Sequence, residues 1–252
     1  MYDNRMTRNQ WGWANTNDTD IMSDFPLGDW TGIHNYFNDY DVYNASDFTV
    51  TKVGTGTNAG VAADGGVIQV VNSAAGADSV SHKLGFASFK LATGLRCWGR
   101  FMFSVDHVNA NFIVGLHNGT TTPFAALTDG IVFQNASGGT LSVKAYASSS
   151  ATTATLTQTL NPGLTNMINF AFYYEGNVYG RNPNGTLVYQ ITGAGISANV
   201  RGSLALPSTF PQTTLLNPAF AVQNNTAAAR TMNMDLIDVA NERVSILATP
   251  PY

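Results

Sequence analysis

The sequence predicts an all-β protein built as a two-sheet antiparallel sandwich, and three observations carry that expectation. From Asp47 onward, short alternating or continuous apolar runs are separated by Gly, Asn, Asp and Pro clusters, the pattern of many short strands. Hardly any window places apolar residues at i, i+3, i+4 and i+7 without Gly or β-branched interruptions, so helix is expected only as a turn or two, near Ser23 or Pro207. Hydrophobic residues make up 44% of the 252 positions and charged residues only 11%, enough apolar surface for a large core beneath an exterior of Thr, Ser, Asn and Gly.

Taken in order, the expected strands are Phe48 to Val53, Gly66 to Val71, Ser79 to Leu84, Phe89 to Leu91, Cys97 to Val105, Asn111 to His117, Gly130 to Gln134 and Leu141 to Ala147. They continue with Ala154 to Leu160, Met167 to Tyr174, Asn177 to Arg181, Leu187 to Ile191, Asn217 to Asn224, Met232 to Val239 and Arg243 to Leu247. Asn118-Gly119 and Asn184-Gly185 suit the positive φ angles of tight hairpins, with Ser137-Gly138-Gly139 offering similar freedom. Residues 169–174, 177–181 and 186–189 read as a three-strand meander through Glu175-Gly176 and Asn184-Gly185. The Gly/Thr stretch 54–60 and the Ala/Ser/Thr stretch 147–154 read as surface loops, too short to separate domains.

Residues 1–46 form a separate segment, an irregular N-terminal arm ahead of a sandwich domain spanning 47–252. The arm holds Trp11, Trp13 and Trp30, three of the four tryptophans, with abundant Asn and Asp and no alternation. So many aromatics in an irregular segment require burial, either back over the chain's own sandwich or against a partner. In the second case Trp11, Trp13 and Trp30 are the anchors, and Arg5 and Arg8 supply charge-assisted hydrogen bonds. Met1 to Gln10 is polar and lacks the apolar core of a signal peptide, and no later apolar run has bilayer length, so neither export by that route nor a membrane partner is expected.

Few chemistries fit the residues. A net charge of −4 with scattered Lys and Arg gives no basic stripe, which argues against nucleic acid. Cys97, the one cysteine, lies in an apolar run and is expected to be a small buried hydrophobe. His34, His82, His107 and His117 form no metal-ligand spacing, and no metal or cofactor is expected. Asp18, Asp20, Asp24, Asp29, Asp39 and Asp41 match no calcium loop and read as irregular backbone. The two glutamates, Glu175 and Glu242, have no acidic partner two residues away, and Asp235 and Asp238, three apart, are expected on opposite faces of a strand. With no Gly-x-Ser-x-Gly elbow either, no catalytic site is expected and the chain reads as a non-enzyme.

The segments Arg96-Cys-Trp-Gly-Arg-Phe-Met-Phe-Ser-Val105, Phe112-Ile-Val-Gly-Leu116, Asp129-Gly-Ile-Val-Phe133 and Phe170-Ala-Phe-Tyr-Tyr174, followed by Asn184-Gly185, resemble in order the concanavalin A-like, laminin-G-like jelly-roll family over residues 47–240. More narrowly, Asp3-Asn-Arg-Met-Thr-Arg-Asn9, Ala77-Asp-Ser-Val-Ser81, Pro218-Ala-Phe-Ala-Val-Gln223 and Met234-Asp-Leu-Ile-Asp238 are similar to structural proteins of tailed bacteriophages that carry this sandwich. The resemblance implies a concanavalin A-like jelly roll and a non-enzymatic virion structural protein that decorates and stabilises the outer capsid surface. It further implies the major capsid protein and copies of itself, as a homo-oligomer, for partners, and the virion, after host-cytoplasmic assembly, for location. The alternative it implies is a lectin-like module of a phage fibre or tail that binds a glycan or receptor.

Overall fold

The alternating runs form two antiparallel sheets in the structure, a computed structural model that describes residues 33–38, 44–61, 66–85, 89–119, 124, 127–136, 139–177, 183–210 and 214–242. The eight-stranded sheet has the order β13 (Val200–Ala205), β12 (Thr186–Thr192), β11 (Ile168–Glu175), β6 (Arg96–Val105), β15 (Thr231–Glu242), β4 (Val67–Val71) and β3 (Thr57–Val61). In that sheet β1 (Ile33–Asn38) also pairs with β15, beyond the end of β4. The seven-stranded sheet runs β10 (Ser150–Thr155), β9 (Thr140–Ala147), β8 (Gly130–Ala136), β7 (Ala110–His117), β14 (Asn217–Asn224), β5 (Ser79–Leu84) and β2 (Phe48–Val53). Among the described residues the helical content is one 3-10 turn, Ala45–Asp47, capped by the Asn44 side chain.

Period-two alternation decides which side chains enter the space between the sheets. β6 turns Cys97, Phe101, Phe103 and Val105 inward, and β7 answers with Ala110, Phe112, Val114 and Leu116. A chain of aromatic contacts bridges the layers, from Phe103 to Phe112 (5.0 Å between ring centroids), to Phe133 (5.2 Å) and to Phe170 (5.5 Å). Cys97 is buried as expected, and that burial pushes its thiol pKa up. His82 also points inward, stacked on Phe220 at 4.8 Å and edge-on to Phe48, so it is a core residue.

Several expectations are corrected. The 33–38 part of the arm is a strand in register with β15, because an open stretch of β15 edge beyond β4 accepts it. The expected order of strands is not kept: β11 pairs directly with β12, from Asn169↔Thr192 to Glu175↔Thr186, and with β6 on its other side, so no strand stands between β11 and β12; 178–182 lie outside the described residues. Asn118-Gly119 is no tight hairpin, since β8 starts only at Gly130; Asn118 instead hydrogen-bonds Asp129 and Thr128 across the loop. Phe89 makes only an isolated bridge to Leu216, and Leu160 one to Ile196. Near Pro207 there is a hydrogen-bonded turn, Phe210 N–H to the Pro207 carbonyl, and no helix; Ser23 lies outside the described residues.

Both expected low-complexity loops contribute edge strands, β3 and β10. The turn before β10 is made by Ser148 and Ser149 at φ 52° and 67°, a left-handed pair usually left to Asn-Gly. Its conformation is fixed from outside, by Ser148 N–H donating to Asp129 Oδ1 and Ser149 N–H to the Thr128 carbonyl.

Candidate functional site

The seven-stranded sheet has a second face, turned away from the core, and its register assembles it from residues far apart in sequence. One row across the strands reads Thr153, Lys144, Val132, Gly115, Ala219, Lys83 and Thr49. On one side the next row reads Thr155, Ser142, Gln134, Ile113, Ala221, Ser81 and Thr51; on the other it reads Ala151, Tyr146, Gly130, His117 and Asn217. The middle of the first row is a floor of small or short side chains, and a lysine stands at each end. Gly115, at φ 153°, lets β7 and β8 approach closely there, since a Cβ would overlap the Ile131 carbonyl oxygen.

The middle of this outward face is closed to solvent. Val132, Ala219 and Ala221 are fully buried, and Ile113, Ser81, Ser142 and Gln134 nearly so, although no described strand packs on them. Polar atoms are buried there too. The Gly119 backbone N–H donates to His117 Nδ1 at 3.1 Å. An amide N–H only donates, so Nδ1 is the accepting nitrogen and the neutral ring carries its proton on Nε2. His117 is 0% exposed and Nε2 has no hydrogen-bond partner. Burial, aided by the Lys83 charge, lowers its pKa from 6.5 to about 3, which keeps the ring neutral. Three rows away, Asn111 Oδ1 is likewise buried without a partner. Unpaired buried polar atoms cost about 1–3 kcal/mol each.

The strands of this sheet contain Lys52, Lys83 and Lys144 and no Asp or Glu, in a chain whose net charge is −4. Two acids at its rim are engaged. Asp129 accepts from Asn118 (3.0 Å), Thr128 (2.8 Å) and the Ser148 backbone (2.9 Å), and Asp78 is hydrogen-bonded by Ser73 Oγ.

The outer face of the eight-stranded sheet is different in kind. Trp98, Ala171 and Ala240 form a satellite apolar cluster with Tyr173 and Val188, the Trp98 and Tyr173 rings 5.5 Å apart. Asp238 sits opposite Arg100 and is nearly buried; burial raises its pKa from 3.8 to about 7 against the lowering effect of the Arg100 charge. A raised folded-state pKa contributes stability below the unfolded value of 3.8 that is lost as pH rises through about 7. Asp238→Asn, which mimics the protonated acid, is therefore expected to stabilise the fold more as pH rises from 4 to 8, the gain growing by on the order of 3 kcal/mol. Urea titrations at both pH values check this; a gain independent of pH would show an ordinary carboxylate held by Arg100.

The residues expected to bind a partner, Arg5, Arg8, Trp11, Trp13 and Trp30, lie outside the described residues. Glu175 ends β11, where its carboxylate accepts from Tyr173 Oη at 3.2 Å. Asp235 stands at a bulge between Met234 and Leu236, so the alternation that placed it opposite Asp238 does not run through it. Among the described residues no three His, Cys, Asp or Glu side chains group to hold a metal ion. His117, Lys83, Lys144, Gln134 and Asn111 were not singled out as site residues by the sequence. Alternation alone turns them outward, but their meeting in adjacent rows depends on register.

No protein-family model and no curated protein matches the chain. Solved structures do match it. Peanut lectin superposes with a TM-score of 0.56 at 9% identity, over 85% of this chain and 100% of the lectin. Lectin I from Ulex europaeus, in complex with the methyl glycoside of α-L-fucose, gives 0.54 at 12% identity, over 84% and 99%. Endo-β-1,4-glucuronan lyase from the fungus Trichoderma reesei gives 0.50 at 12% identity, over 83% and 95%. At such identities the shared property is the fold, and this chain is a two-sheet antiparallel jelly-roll sandwich of the concanavalin A-like type.

Proposed function

We propose that this concanavalin A-like sandwich is a carbohydrate-binding module that takes a saccharide without chemical turnover. The observation that carries the reading is the fold itself, which the chain shares with peanut lectin and with lectin I from Ulex europaeus in complex with the methyl glycoside of α-L-fucose. The lectins among the structural neighbours favour the same class of ligand.

Binding without hydrolysis fits a face whose strands carry no carboxylate, since glycoside hydrolysis ordinarily needs two. Elimination is the rival suggested by the lyase neighbour. The biological setting adopted is a fibre or tail module of a phage that recognises a host glycan. Capsid decoration rests on residues 1–46 and on a resemblance, and no feature of the described sandwich bears on it.

Glycan-array screening followed by calorimetry tests the reading. Saturable binding is expected. The absence of binding to any neutral or acidic glycan would sink it, and an ultraviolet-absorbing unsaturated product would replace binding by lyase activity.

A further inference from the structure

We infer that β1 is a proton-operated latch, docked on β15 while the Asp238 carboxyl is protonated and released as that group ionises.

β4 covers one side of β15 only from Thr231 to Met234, and from Ile237 to Glu242 that side is covered by β1. Asp238 lies in this second stretch, in register with Phe37 of β1 on one side and with Arg100 of β6 on the other. It is 3% exposed. Among the described residues β1 has one ladder, to β15, so it can open without disturbing the rest of the sheet. Undocking β1 bares the β15 edge and brings water to Asp238, which favours the charged carboxylate over the neutral acid.

The charges around Asp238 do not cancel that preference. Arg100 is the opposing cation, and its guanidinium is shared, Nε donating to Asn169 Oδ1 at 3.1 Å and Nη2 to Met102 Sδ at 3.4 Å. Arg96 lies four residues back along β6, and β15 itself adds two acids, Asp235 and Glu242. β1 carries His34 and Tyr36, in register with Asn241 and Val239, and sets Phe37 at the Asp238 position. Burial outweighs Arg100, and the pKa of the docked carboxyl rises from 3.8 to about 7.

The sign follows from those two values. With about 7 in the docked state and the ordinary 3.8 once β1 is released, the strand is held most firmly below pH 3.8. The released fraction climbs as pH rises to about 7 and then levels off. His82 and His117 drive the rest of the sandwich the other way, because their lowered pKa values stabilise it as pH rises from 3 towards 6.5. Between pH 5 and pH 6.5, therefore, β1 loosens while the core tightens. Since β1 joins residues 1–32 to the sandwich, the same proton controls how Trp11, Trp13 and Trp30 are tethered.

Hydrogen exchange of the full chain, read by mass spectrometry at pH 5 and pH 6.5 and corrected for intrinsic rates, tests the latch. Protection at 33–38 is expected to fall by at least about tenfold over that interval, while protection at 101–105 and 112–116 rises. Asp238→Asn, which cannot ionise, should keep 33–38 at its pH 5 protection at both values. Protection at 33–38 that stays level or rises with the core overturns the latch, and so does a fall that persists in Asp238→Asn.

Discussion

Phe133→Ala is expected to destabilise the protein by about 3–5 kcal/mol, the largest effect of any single substitution considered. Phe133 lies on β8 of the seven-stranded sheet and is fully buried. Its ring meets Phe112 in its own sheet, then Phe103 at 6.2 Å and Phe170 at 5.5 Å on the opposite one. Truncation removes apolar contact from both layers at once and leaves a cavity lined by large rings. Those rings stand on paired strands and cannot collapse to fill it. Urea unfolding gives the measurement, with Lys83→Met as a surface comparison expected within about 0.5 kcal/mol of the parent. A loss below about 1 kcal/mol for Phe133→Ala would show that the two sheets are held together elsewhere.

Acid should unfold the protein through two histidines. Burial, with smaller contributions from Lys52 and Lys83, lowers the pKa values of His82 and His117 from 6.5 to about 3. For a lowered pKa the unfolded chain takes up protons first. The stability present above pH 6.5 is therefore lost as pH falls towards 3, by on the order of 3 kcal/mol per histidine at pH 4. Asp238 acts with the opposite sign, its protonated form favoured in the fold up to about pH 7, so it offsets part of this loss and erodes stability on the alkaline side. Greatest stability is thus expected near pH 6.5. Ring proton resonances of His82 and His117 should hold their neutral positions down to pH 5; titration of either near pH 6.5 would remove it from the account.

The strands read most closely from the sequence are those with neighbours on both sides or with strong alternation. Ser79–Leu84 and Asn217–Asn224 match their expected bounds because a central strand must present apolar side chains to the core at every second position. The unexpected strands β3, β10 and β13 all lie at sheet edges, where one partner suffices and Thr, Ser, Gly and Ala are tolerated. Their pairing is enforced by the adjoining strand, so their own residues signal little. The Ser148-Ser149 turn makes the same point, because its left-handed backbone is held by Asp129 and Thr128 and not by its own composition.

The sequence by itself determined the all-β class, the apolar faces and the burial of Cys97. Alternation is local, with a period of two, and that is enough to settle which way each side chain points relative to its own strand. Only the tertiary structure decided what stands beside what. The row from Lys144 to Lys83 draws on five strands between residues 83 and 219, and each register within it is fixed by hydrogen bonds between distant segments. A slip of one residue in any of them would turn a lysine inward and scatter the row, which isolated lysines in the sequence do not reveal.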